Sequence, residues 1–114
     1  MPAARDDYLL RQIQMAAAAL RRLIARVGDG ESFDTVHVDI AAEIASLLGP
    51  HRALLERLDA RSAAHLLGDP ERVQLWAQLL ALQAESQRLA GRGTVADALA
   101  ARANALAAFG PPAA

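Results

Sequence analysis

Apolar side chains recur at alternating steps of three and four from Leu10 through Ile13, Ala17, Leu20 and Ile24 to Val27, the spacing that lines one face of an α-helix. Widened by Leu9, Ala16 and Leu23, this stripe predicts a helix over residues 7–27. Asp6 and Asp7 stand at its start and Arg21, Arg22 and Arg26 near its end, the charge order that the helix macrodipole prefers. Gly28-Asp29-Gly30 then stops it. The next stretch obeys two periods at once. Residues 35–40 alternate polar and apolar as a strand does, whereas Phe33, Val36, Ile40, Ile44 and Leu47 keep the helical period. Continuation into Ala41-Ala42-Glu43-Ile44-Ala45 tips the balance, because this run is helix-forming. A second helix is expected from residue 32 or 33 to 48, ended by Gly49-Pro50.

Two short helices follow, over residues 51–58 and 60–67, with Asp59 placed to cap the second; a single kinked helix is the alternative. Asp69-Pro70-Glu71 combines a side-chain acceptor, a proline suited to the first helical position and an acid in the first turn. The long helix it opens runs to about residue 90. Leu75, Leu79, Leu82, Ser86 and Leu89 share one strip and Val73, Trp76, Leu80 and Ala84 lie beside it. An apolar face that broad meets two neighbours, which makes this helix the expected centre of the fold. Gly91-Arg92-Gly93 ends it, and Thr94 with Asp97 forms a capping-box-like start for a last helix over 95–109. Gly110-Pro111-Pro112 closes the fold, and Ala113 and Ala114 are expected to fray.

The predicted class is therefore all-α: one domain over 1–114, with hairpins at 7–48 and 70–109 joined by short helices at 51–67. The composition agrees. The hydrophobic share of 54% is rich in alanine, and only 4% of the chain is aromatic, so a sheet lacks the residues that suit a pleated surface. A domain of this length buries roughly two-thirds of the surface its unfolded chain exposes. There is no cysteine, which removes disulfides and sulfur-ligated metals and points to a reducing, cytoplasmic setting. Neither a signal-like start nor an apolar run of membrane-spanning length is present. All 12 basic residues are arginine and Asn104 is the sole asparagine, a skew expected of a high-GC bacterial genome. The net charge of −1 is spread evenly along the chain and gives no reason to expect nucleic acid or membrane as a partner.

Sliding the chain over itself by 62 positions sets Leu20 on Leu82, Ile24 on Ser86, Val27 on Leu89, Phe33 on Val95, Val36 on Ala98 and Ile44 on Leu106. The second hairpin resembles a tetratricopeptide unit, a helix-turn-helix of ~34 residues, through Leu82, Ser86, Leu89, Gly93, Ala98, Ala105 and Pro111. Glu85 and Arg102 depart from that pattern, standing where an aliphatic and an aromatic residue are usual. The layout as a whole is similar to an uncharacterised family of short bacterial helical proteins that open on an Asp-Tyr-aliphatic-aliphatic-Arg-x-Ile helix, here Asp7-Tyr8-Leu9-Leu10-Arg11-Gln12-Ile13. The resemblance implies an architecture, a tetratricopeptide-like α-α arrangement, and no chemistry.

Few residues suggest a reaction. Ser32, Ser46, Ser62 and Ser86 lie in capping or helix-interior contexts, without the turn that exposes a nucleophile or a Gly-rich oxyanion loop. Asp34 and His37 share one helix face, yet no second carboxylate-x-x-His pair completes a metal set. His51 and His65 fall near predicted helix ends. No enzyme activity, cofactor or metal is expected. What remains is a surface: Arg21, Arg22 and Arg26 for an acidic partner, and Trp76 as an anchor, each with a plainer role available in helix-end charge compensation and core packing. The expected function is a non-catalytic interaction domain, a homodimer in its most specific form. The alternative is a small-ligand or metal-binding regulator built around Asp34, His37 and Trp76. Weak nucleic-acid binding through the arginines is a third possibility.

Overall fold

The computed structural model describes residues 3–112, with side chains from Asp7 onward. Among them are six α-helices and one 3-10 turn, and no strand. In order they are α1 (Ala3–Gly28), α2 (Phe33–Leu48), a 3-10 turn (Gly49–His51), α3 (Arg52–Arg57), α4 (Ala60–Leu67), α5 (Pro70–Leu89) and α6 (Gly93–Ala107). The 35–40 segment is helical. Its apolar period wins because Val36, Ile40 and Ile44 all enter the core on one face, whereas the alternating strand pattern leaves Val38 exposed. Ala113 and Ala114 lie outside the described residues.

The caps explain most of the helix boundaries. Asp59 accepts the backbone N–H of Ser62 at 3.0 Å, and Asp69 accepts those of Glu71 and Arg72 at 2.8 and 3.2 Å. Hydrogen bonding from Ser62, side chain first and then backbone, holds the Asp59 carboxyl below the usual carboxylate range. A depressed carboxylate stabilises the fold above its unfolded pKa, and that contribution disappears as the pH falls through the folded one. Asp69→Ala is expected to lower stability by about 1 kcal/mol, measured by urea denaturation at neutral pH, because it orphans two N–H groups.

Three expectations need correction. The helix expected over 51–58 starts at Arg52, since Gly49 and Pro50 wind the chain into a 3-10 turn first. The capping box at Thr94 does not form: α6 starts at Gly93, no side chain caps it, and Asp97 instead accepts from Arg88 of α5 at 3.0 Å. The last helix ends at Ala107, short of Phe109.

Helix α5 is the hub, touching α1, α2, α4 and α6. Its closest partner is α6, as the alanines of both helices allow. Helices α1 and α5 lie side by side and run the same way: Ile13 and Ala17 share one depression with Leu75 and Gln78, and Val27 shares another with Ser86 and Leu89. The two hairpin turns are built alike. Gly30 and Gly91 adopt φ of 78° and 80°, and the next N–H in each turn reaches back to the preceding helix, Glu31 to Arg26 O at 3.1 Å and Arg92 to Gln87 O at 2.9 Å. Glycine meets no steric penalty in that left-handed conformation.

Burial does not follow the 62-position correspondence, however. Val27 is buried while Leu89 is exposed, and Val36 is buried while Ala98 is exposed. A shift of 59, which sets Leu20 on Leu79, pairs buried with buried at Leu23 and Leu82, Val27 and Ser86, Ile44 and Ala103, and Leu47 and Leu106. Amphipathic helices tolerate a slide of about one turn, so the sequence pattern alone leaves that register open.

Candidate interaction surface

The four residues singled out from the sequence do not form one surface. Trp76 is 1% exposed and belongs to the core, so it is withdrawn as a docking anchor. Arg26 donates to Glu31 and to Asp39, the latter at 2.7 Å, and ties the end of α1 to the loop and to α2. That hydrogen bonding holds the Glu31 carboxyl below its usual range. Arg22 lies with Arg26, Asp39 and Glu43 along the outer α1/α2 groove, where the charges balance. Arg21, one residue away, projects about 100° around the helix toward the opposite side.

The histidines and Asp34 make no site. His37 stacks on Phe33 with ring centroids 4.9 Å apart, Arg92 covers that phenylalanine ring at 4.6 Å, and Asp34 is exposed. His51 and His65 sit exposed at the 3-10 turn and in the last turn of α4. Among the described residues no three side chains capable of holding a metal come together.

A different surface emerges from the helix packing. One face of α5 is left uncovered between α1 and α6, and Gln74, Gln78, Ala81, Glu85 and Arg88 form its floor. It carries a depression of about 330 Å³ beside Ile13, Ala17 and Pro111, and another of about 250 Å³ beside Ala100, Ala103 and Asn104. Leu89, 70% exposed, stands at its far end. The wall contributed by α1 has an internal logic. Its apolar residues alternate between two lines, and Ile13, Leu20 and Val27 are buried in the core. The other line, Leu10, Ala17 and Ile24, falls on the edge facing this trough, with Leu10 51% and Ile24 50% exposed. Helix α1 packs on both α2 and α5 through its buried residues, and the line of Leu10 and Ile24 is left half exposed beyond them.

The charges on this face are uneven. Arg88 is matched by Asp97. Among the described residues Arg21 on the α1 edge, and Glu71 and Glu85 on α5, have no ion-pair partner. The sequence flagged Glu85 only as a departure from the tetratricopeptide pattern. Its exposure on the trough floor explains why an aliphatic residue is not required there.

No described helix is long and apolar enough to cross a membrane. Comparison of the chain with protein-family models, with curated proteins and with solved structures gives no match.

Proposed function

We propose that the protein is a non-catalytic helical scaffold that acts by docking another protein chain against the α1–α5–α6 face, and that it forms a homodimer. The observation that carries this reading is the half-covered apolar seam of α1. Leu10 and Ile24 stay about half exposed beside a floor of small and amide side chains, and burying such side chains is favourable by ~25 cal/mol per Å² of apolar surface removed from water. With ~1.5 Å of rise per residue α5 is about 30 Å long, and two interhelical spacings of ~9 Å make the trough about 18 Å wide. Its footprint, about 540 Å², is about two-thirds of the roughly 800 Å² that each partner contributes to a stable interface.

The parallel run of α1 and α5, with α2 packed against α5, supports two tetratricopeptide-type units separated by α3 and α4. Two units fall short of the about three stacked repeats that make a peptide-binding superhelix, which favours a single docking face over a long groove. The absence of cysteine and the arginine-only basic residues support a bacterial cytoplasmic setting.

Light scattering coupled to gel filtration tests the reading. At about 100 μM a mass near twice 12.1 kDa is expected, and a monomer at every concentration would sink it. Ile24→Glu is expected to shift the mass toward monomer while leaving the helical circular-dichroism signal unchanged, since Ile24 is half exposed in the isolated chain.

A further inference from the structure

We propose that residues 110–112 form a strap across the lower end of the trough, and that a docking chain must lift it to use the whole floor. The device rests on the docking face proposed above and adds what controls access to it. Asp97 near the start of α6 meets Arg88 near the end of α5, so the chain leaving α6 comes down on Gln74, near the start of α5. The approach is close. A Cβ added at Gly110 would collide with Gln74 Oε1 and lie 3.5 Å from Gln74 Cβ, so the missing side chain is what lets the backbone rest there. One residue further, Pro111 joins Ile13 and Ala17 of α1 around the depression of about 330 Å³. The tail therefore passes from the α6 wall over the floor toward α1.

With the strap down, the open floor runs only from Gln78 to Leu89, roughly 17 Å at ~1.5 Å per residue against about 30 Å for the whole of α5. Little holds the strap in place. Phe109 N–H donates to Leu106 O at 2.9 Å and Gly110 N–H to Ala107 O at 3.1 Å, and among the described residues no hydrogen bond reaches further along the tail. Pro111 and Pro112 have no N–H to donate and are exposed. Lifting the tail beyond Gly110 thus breaks van der Waals contacts and no hydrogen bond. Two consecutive prolines fix φ near −65°, so the tail swings as a stiff piece about Gly110 instead of fraying residue by residue.

Thiol reactivity and association together test this. The chain has no cysteine, so Ala17→Cys places a single reporter in the depression. At about 1 μM, far below the concentration set for association, its reaction with an aromatic disulfide reagent is expected to speed up about tenfold when residues 110–114 are deleted. That factor corresponds to a strap that is down about nine-tenths of the time. Pro111→Glu keeps the full length but sets a second carboxylate beside Glu71, and is expected to raise the rate similarly. In sedimentation equilibrium the deletion is expected to tighten the dimer by about the same factor, because binding no longer has to lift the strap. Unchanged circular dichroism and urea midpoints check that the fold is intact. A reporter that reacts equally fast with and without the tail overturns the strap. A rate raised by the deletion and unmoved by Pro111→Glu overturns the contact at Pro111. A faster reporter with no gain in association overturns the control of docking and leaves self-association standing. Parent and deletion both monomeric at about 200 μM overturn this inference together with the self-association beneath it.

Discussion

Trp76→Ala is expected to lower the free energy of unfolding by about 3–5 kcal/mol, the largest loss from any single side chain in the molecule. For a chain of this length total stability is on the order of 6–17 kcal/mol, so the change consumes a large share of it. The reason is placement as much as size. Trp76 is the bulkiest of the fully buried side chains and lies on α5, the helix that every neighbour except α3 contacts. Truncation leaves a cavity that the helices cannot all close at once.

Trp76→Phe separates ring packing from polar bonding. The indole Nε1 is buried with no hydrogen-bond partner, so a phenyl ring loses volume and no bond. A cost of about 1–2 kcal/mol is expected, from the smaller cavity alone. Urea denaturation followed by circular dichroism at 222 nm measures both variants without relying on the tryptophan signal. A loss below about 1.5 kcal/mol for Trp76→Ala would show that the core is organised around other residues. If Trp76 were instead a docking anchor, association would weaken with stability intact.

The elements of this fold were legible in the sequence because each carries its own period and its own stop. Asp59 and Asp69 cap as their positions announce, and the long apolar face after Pro70 does mark the central helix. What failed were inferences that depend on more than one helix. Thr94 and Asp97 have the spacing of a capping box, but Arg88 on the facing helix competes for Asp97 and the box never closes. The pairing of hairpins at 62 positions matched residue types, whereas burial agrees better after a slide of nearly one turn, which still sets buried Val36 on exposed Val95.

The candidate surface was less legible still. Arg21, Arg22 and Arg26 are close in sequence, yet helix rotation sets Arg22 and Arg26 along the outer α1/α2 groove, where Arg26 is tied to Glu31 and Asp39, and turns Arg21 away from it. The alternating steps of α1 did contain the signal, since they describe two apolar lines. Which line is covered follows from the side on which α5 lies, and no local pattern encodes that.

Arg102 gives the second large expected effect, and it also accounts for the oddest departure in the sequence. Where a tetratricopeptide unit usually holds an aromatic side chain, this guanidinium reaches from α6 to donate to the carbonyls of Leu58 at 2.7 Å and Leu55 at 3.0 Å. Those oxygens end α3, a helix of 6 residues whose last carbonyls have no partner in the next turn. The same group lies 5.3 Å above the Trp76 ring. One side chain thus caps α3, fastens the 52–67 segment to the second hairpin and covers the core tryptophan. Arg102→Met keeps the aliphatic stem and removes the donors, and is expected to cost about 2–3 kcal/mol, as charged hydrogen bonds of 1.5–3 kcal/mol would have it. Arg102→Lys is expected to recover less than half, because a single ammonium cannot reach two carbonyls in the planar fork that guanidinium offers. The loss should be local before it is global: amide exchange is expected to accelerate across residues 52–67 in Arg102→Met while α5 stays protected. A double-mutant cycle with Trp76→Phe is expected to give a coupling of about 0.5–1 kcal/mol for the cation over the ring. Uniform acceleration across all helices, or no change in 52–67, would show that Arg102 does not hold this segment in place.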